Sequence, residues 1–346
     1  GFRLVYKTLI CVDGPFGYWE HKLDALTGEM ISVRRHEINE KYKPNEVPDF
    51  SLYGGPAKSL SDELARIKAA IGAAEKTGGP VSKTTVDGTA LVFDPDPRTT
   101  LANAALSDSY PASSFDAAYF TRTLRDITLD AGVYYLQGPW VNITNMASEL
   151  PATAVSTATT GNWTAKRGNN AFDDVMCYFH IDQNQRYLQS LGYSNAASIQ
   201  AVSIPVDSDG LGGDDNSHYV PSENSLAFGH GGVNADEDSD VILHEYGHAI
   251  TYGIVPDWGG GDSGAIGEGF GDYWGASYSW SCTNGATFNP AWAFSWDGHS
   301  VDTWTGRFLD MTNLTYDHSH TYQDHETIAG VPNYSDQLWG TPVYQA

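Results

Sequence analysis

Apolar and polar residues alternate over the first part of the chain, and the alternation predicts strands at residues 2–10, 18–25 and 30–33, with Thr27-Gly28 as a turn between the last two. Residues 39–105 lose that period and gain Pro, Gly and Lys, as a linker does. One helical stripe interrupts them, formed by Leu60, Leu64, Ile67 and Ile71, and residues 88–97 read as a turn-rich entry to the next unit. Strand-like runs return at 133–136 and 140–143. A long helix is predicted over 171–191 and a strand over 199–206. Farther on, Val241, Ile242 and Leu243 precede a polar quintet, and Ala249 and Ile250 follow it, so this helix is buried. The pattern predicts an α+β protein in four parts: a small β unit (1–45), a linker zone with one amphipathic helix (46–105), a β-rich lobe ending in the buried helix (106–260) and a helical lobe (261–346).

Composition narrows the classes. Hydrophobic residues make up 41% of the 346 and aromatics 12%, which are globular values. No apolar run approaches the ~20 residues of a membrane helix. Acidic residues outnumber basic ones 43 to 19, for a formal charge of -24. Such a surface repels nucleic acid and anionic membranes, and it fits a secreted protein that binds calcium or tolerates salt. Three cysteines, Cys11, Cys177 and Cys282, form no disulfide framework. The sequence opens in what reads as a strand, with no signal peptide in view, and the expectation is that its natural start lies upstream.

The polar quintet is His244-Glu245-Tyr246-Gly247-His248. Residues four apart share a helix face, so the two imidazoles can meet one metal ion while Glu245 stands beside them as a general base. A catalytic zinc takes three protein ligands and leaves a position open. Glu268 offers the third, on a second helix begun by Asp262 or Ser263. Asp272, one turn on, can accept the outer N–H of a liganding histidine and fix its orientation. The Gly, Ala, Phe and Trp residues around Glu268 and Asp272 argue for a packed helix over a solvated acidic face.

The segment from His244 to Asp272, with residues 249–267 between the second histidine and the glutamate and Ser-Gly-Ala-Ile just before it, resembles thermolysin-like gluzincin metalloproteases. Metzincins need Gly and His where Thr251 and Ile254 stand. The resemblance spans roughly 170–340 and is strongest over 240–276. It implies a two-lobed zincin: a β-rich N-terminal lobe, a helical C-terminal lobe and a cleft crossed by the zinc helix. It also implies a secreted zinc endopeptidase, with His244, His248 and Glu268 on Zn2+, Glu245 as general base and a peptide or protein as substrate. Leu23-Asp24-Ala25-Leu26-Thr27-Gly28-Glu29 resembles the hairpin that ends thermolysin- and fungalysin-type pro-regions, so the chain's own pro-region becomes a partner; an ordinary hairpin is the plain alternative. Asn216 and Ser217 match the edge-strand pair that binds substrate backbone, or form a polar loop. Arg307 matches the arginine that holds a substrate carbonyl, or makes a structural ion pair.

Three positions depart from the family. Asn333 stands where the oxyanion histidine belongs, with His320 and His325 nearby but out of register. Gly259, beside Trp258, replaces the helper tyrosine. Asp240 matches one ligand of the double calcium site, but Ser279 replaces a glutamate. Calcium remains an expectation at Asp207-Ser208-Asp209 with Asp214-Asp215, or at Asp236-Glu237-Asp238 with Asp240. The helical lobe of such an enzyme would continue past Ala346. The competing expectation is an inactive or latent module of the same fold with a structural or binding role.

Overall fold

The computed structural model describes residues 5–13, 16–24, 30–35, 38–39, 83–193, 199–255, 258, 262–299, 306–310 and 335–346. They form a mixed α+β structure. The first three strands, β1 (Val5–Asp13), β2 (Phe16–Asp24) and β3 (Met30–Arg35), make an antiparallel sheet in the order β1-β2-β3. This agrees with the alternation in the sequence. The amphipathic stripe at Leu60–Ile71 and the turn at Thr27-Gly28 lie outside the described residues.

The zone expected to be a linker supplies a main strand. Beyond β4 (Ile38–Asn39), Thr84–Phe93 is β5 and Pro97–Leu101 is α1. β5 runs antiparallel to β6 (Tyr119–Asp130) within the order β10-β5-β6-β7-β9, where β7 is Val133–Tyr135, β9 Thr157–Ala158 and β10 Asn162–Trp163. Gly88, Ala90 and Val92 all face inward from β5. Gly88 is the reason this strand reads as a turn. The register shifts between Val86 and Gly88, and a Cβ at 88 would lie 2.6 Å from both the Gly161 carbonyl oxygen and Ile127 Cδ1. The glycine marks a bulge and a close approach, not a chain reversal.

A second sheet has the order β4-β12-β13-β11-β8, with β8 at Val141–Ile143, β11 at Ile204–Asp207, β12 at Ser217–Val220 and β13 at Ser225–Phe228. β11 starts at Ile204, five residues after the expected strand start. α2 (Asn170–Ser190) lies where the long helix was predicted and is buried over most of its length. It packs against β5, β6, β8 and the helix that follows. Phe172 of α2 joins Phe93, Phe115 and Tyr119 in an aromatic cluster.

α3 (Ser239–Ile254) carries the histidine pair. Asp238 caps it by accepting the Asp240 N–H, and also accepts the backbone N–H groups of Trp296 and Asp297. α4 (Asp262–Ser279) begins at Asp262 itself, so Ser263 is already inside the helix. The short sheet β14 (Trp292–Ala293) with β15 (Arg307–Phe308) follows, then α5 (Ser335–Gln345), packed on α4. Among the described residues no helix is long and apolar enough to cross a membrane.

Candidate metal centre

Three glycines at four-residue spacing decide how closely α3 and α4 approach. A Cβ on Gly267 would sit 3.6 Å from His248 Nδ1, one on Gly271 2.7 Å from His244 Nδ1, and one on Gly275 2.6 Å from the Asp240 carbonyl oxygen. Gly247 on α3 faces Gly271, where a Cβ would meet its Cα at 3.2 Å. The helices are therefore antiparallel and in backbone contact along one stripe of α4. Glu268 and Asp272, on a neighbouring stripe, reach the histidines.

The outcome is a tight donor set. His244 Nε2 and His248 Nε2 are 3.1 Å apart; Glu268 Oε2 lies 3.2 Å from the first and Glu268 Oε1 3.3 Å from the second. A tetrahedral ion with bonds of about 2.0–2.1 Å has edges of about 3.3–3.4 Å. The three side chains thus fit one small cation, and all are buried. His244 Nδ1 lies 2.9 Å from Asp272 Oδ1, so Asp272 stands where an orienting carboxylate is needed. Burial works against a charged His244, but the Asp272 and Glu268 carboxylates outweigh it and push its pKa well above the ordinary value.

Glu245 is fully buried beside the two histidines. Burial raises its pKa, against the lowering pull of His244 and His248. Its Oε1 accepts a 2.8 Å hydrogen bond from Ser217 Oγ, and no hydrogen-bond donor reaches Oε2 among the described residues.

The other expected site residues fall in several places. Ser217 opens β12 and supports Glu245. Asn216 is buried next to it, with its Oδ1 accepting the Ser217 N–H at 3.0 Å. The outer edge of β12 pairs antiparallel with β4, placing His218 opposite Asn39 and Tyr219 opposite Ile38. That edge is the one expected to take substrate backbone. Arg307 is buried on β15, and its Nη1 lies 2.8 Å from Asp272 Oδ1 and 3.1 Å from Glu268 Oε2. The ion-pair alternative for Arg307 is thus present, within the metal set itself. Asn333, Tyr334, His320, His325 and Gly259 lie outside the described residues.

The acids considered for calcium diverge. Asp240 accepts from Ser279 Oγ at 2.5 Å and from the Phe294 N–H at 3.0 Å, so Ser279 replaces the missing glutamate with a hydrogen bond. Asp238 caps α3. Glu237 pairs with Arg167 at 3.0 Å and accepts from Trp296 Nε1. Asp207 accepts the N–H groups of Met146 and Asp209. Asp236 groups with Asp173 of α2 and with His230.

The sequence reading missed the glycine stripe and the Ser217–Glu245 contact. Gly267, Gly271 and Gly275 recur at helical spacing, and that period was the available signal. Nothing local announces that Ser217 meets Glu245.

The chain matches no family model and no curated protein.

Proposed function

We propose that the chain is a secreted zinc endopeptidase of thermolysin-like, two-lobed architecture, held latent by its own N-terminal segment. The observation that carries this reading is the set of three buried donors within 3.1–3.3 Å of one another, with Glu245 beside it. Two imidazoles and one carboxylate, with a fourth position left to solvent or substrate, are the donors of a catalytic zinc. Zinc held there polarises a carbonyl and makes water a nucleophile at neutral pH. The protein's part is proton transfer and alignment. Glu245 accepts the proton of the attacking water on Oε2 and returns it to the leaving amine. Its raised pKa suits both halves of that exchange, and Ser217 Oγ anchors the other oxygen. Asp272 holds His244 in orientation. Arg307, buried on the same carboxylates, would turn to a substrate carbonyl only when a cation on Glu268 releases it.

Latency rests on β4. Extended peptides bind enzymes of this kind by adding a strand, and the edge of β12 is already paired with Ile38–Asn39. The second reading, a non-catalytic module, is favoured by one observation: the Arg307 guanidinium already neutralises Glu268, the ligand a cation would need.

The test is Glu245→Gln. The amide keeps the shape but cannot carry a proton, so hydrolysis of a fluorogenic peptide should fall by ~10²–10⁴-fold while bound zinc is unchanged. Full activity in this variant would exclude Glu245 as the base.

A further inference from the structure

A second cluster of donors lies apart from the α3–α4 pair. It joins Asp173 on α2, His230 in the loop after β13, and Asp236 in the 3-10 turn Ala235–Glu237. Asp173 and Asp236 are 1% and 0% exposed. One oxygen of each, Asp173 Oδ1 and Asp236 Oδ1, receives no hydrogen bond among the described residues. Among the described residues, the side-chain contacts of their other oxygens are long, to Asn234 Nδ2 at 3.4 Å and Cys177 Sγ at 3.8 Å, and the Asp236 carboxylate also meets its own backbone N–H. A buried carboxylate oxygen without a donor is costly unless a cation or proton reaches it.

His230 sharpens the point. Its Nδ1 lies 3.2 Å from Asp209 Oδ1, and its Nε2 lies 2.6 Å from the Ser208 carbonyl oxygen. Both ring nitrogens face acceptors, and a neutral imidazole has one N–H to give. The short contact makes Nε2–H the donor to the Ser208 carbonyl; an ion would take the place of that proton, with Asp209, held by Thr153 and by Asn170 Nδ2 at 3.0 Å, placed to take the proton at Nδ1. Nε2 also lies 3.8 Å from Asp173 Oδ2 and 4.0 Å from Asp236 Oδ1. Two donors bound at about 2.1 Å to one ion lie at most about 4.2 Å apart. One ion can therefore reach Nε2, Asp173 Oδ2 and Asp236 Oδ1. A His230 imidazolium would give its two N–H groups to Asp209 and the Ser208 carbonyl, leaving Asp236 Oδ1, 4.0 Å away, without a hydrogen bond.

We infer that Asp173, His230 and Asp236 form a second, structural metal site that ties α2 to the turn before α3. The donors are one imidazole among oxygens, and that mixture selects a first-row divalent cation such as zinc over calcium, which prefers oxygen alone. His230 is partly exposed and provides the entry path. The site is independent of the proposed activity.

Metal counting separates the two. Protein equilibrated with excess Zn2+ and then dialysed should hold about two equivalents. Asp236→Asn and His230→Gln should each hold about one, and so should His248→Ala. Asp236→Asn is nearly isosteric, so it keeps the test open if His230→Gln does not fold. Titrating zinc into stripped wild type should raise Tm in two steps, of which Asp236→Asn loses one. Wild type with one equivalent and His248→Ala with none would overturn this site and leave the catalytic reading standing. One equivalent that survives in His248→Ala but not in Asp236→Asn would do the reverse. Zinc content unchanged in Asp236→Asn and His230→Gln would also overturn it. So would a metal-free Asp236→Asn more stable than wild type with no zinc response in either, since His230 would then balance the acids alone. Calcium displacing zinc at equal concentration would overturn the choice of ion.

Discussion

The two donor clusters are built in opposite ways. His244, His248 and Glu268 come from two regular helices brought into backbone contact by glycines, and their donor atoms are 3.1–3.3 Å apart. Asp173, His230 and Asp236 come from a helix, a loop and a single turn, and the imidazole stands 3.8–4.0 Å from the carboxylates. Helical spacing and close packing fix the first set before any ion arrives. The second needs a small contraction around an ion, and so ties together the elements that carry it. A preorganised cluster suits chemistry, and an adjustable one suits a clamp.

The largest expected effect comes from disturbing the glycine stripe. Gly271→Ala would set a methyl group 2.7 Å from His244 Nδ1, where Asp272 must reach. It should destabilise the fold by about 1–3 kcal/mol and lower zinc content at the α3–α4 site, while zinc at the Asp173 cluster persists. Metal analysis with a thermal melt checks this. Equal zinc and equal Tm would mean that the helices are not held at this separation.

A smaller effect is expected from the orienting carboxylate. Asp272→Asn removes charge beside both His244 and Arg307, and zinc affinity should fall about 10–100-fold. Competition with a zinc-binding dye measures it. An unchanged affinity would make Asp272 only the counter-ion of Arg307.

The pH dependence of stability is smaller still. Burial raises Asp96 to about 6 and Asp240 to about 7, from 3.8. The folded state therefore holds protons that the unfolded chain has released, and stability should fall as pH rises from about 4 to 7, then level off. Asp96→Asn should remove about 3 kcal/mol of that pH-dependent loss, at ~1.4 kcal/mol per pH unit. Denaturant melts of metal-free protein at pH 5 and 7.5 test the sign; greater stability at 7.5 would show that other groups dominate.

These differences follow what a sequence can carry. The histidine pair, Glu245 and Glu268 were legible because helix period converts spacing into a shared face. The strands of the first sheet and the long α2 were legible from alternation and from an unbroken run. β5 was not, because Gly88 and the prolines after it mimic a turn, and only the Ile127 and Gly161 packing shows why a glycine must be there. Asp173 and His230 were illegible as partners, since pairing across 57 residues depends on how α2 crosses the loop after β13. Arg307 lies beside the histidine pair, on Asp272 together with Glu268, and spacing along the chain does not announce that pairing.

The central claim is a zinc endopeptidase kept latent by β4 on the edge of β12. The most direct test places a specific cleavage site between residues 40 and 82 of the zinc-loaded protein and follows hydrolysis of a quenched fluorescent peptide before and after the cut. The account predicts little hydrolysis before cleavage, a large gain after it, and loss of the gain with a zinc chelator or Glu245→Gln. No hydrolysis in either state, with zinc bound by His244, His248 and Glu268, would contradict it and leave a metal-holding module without catalysis.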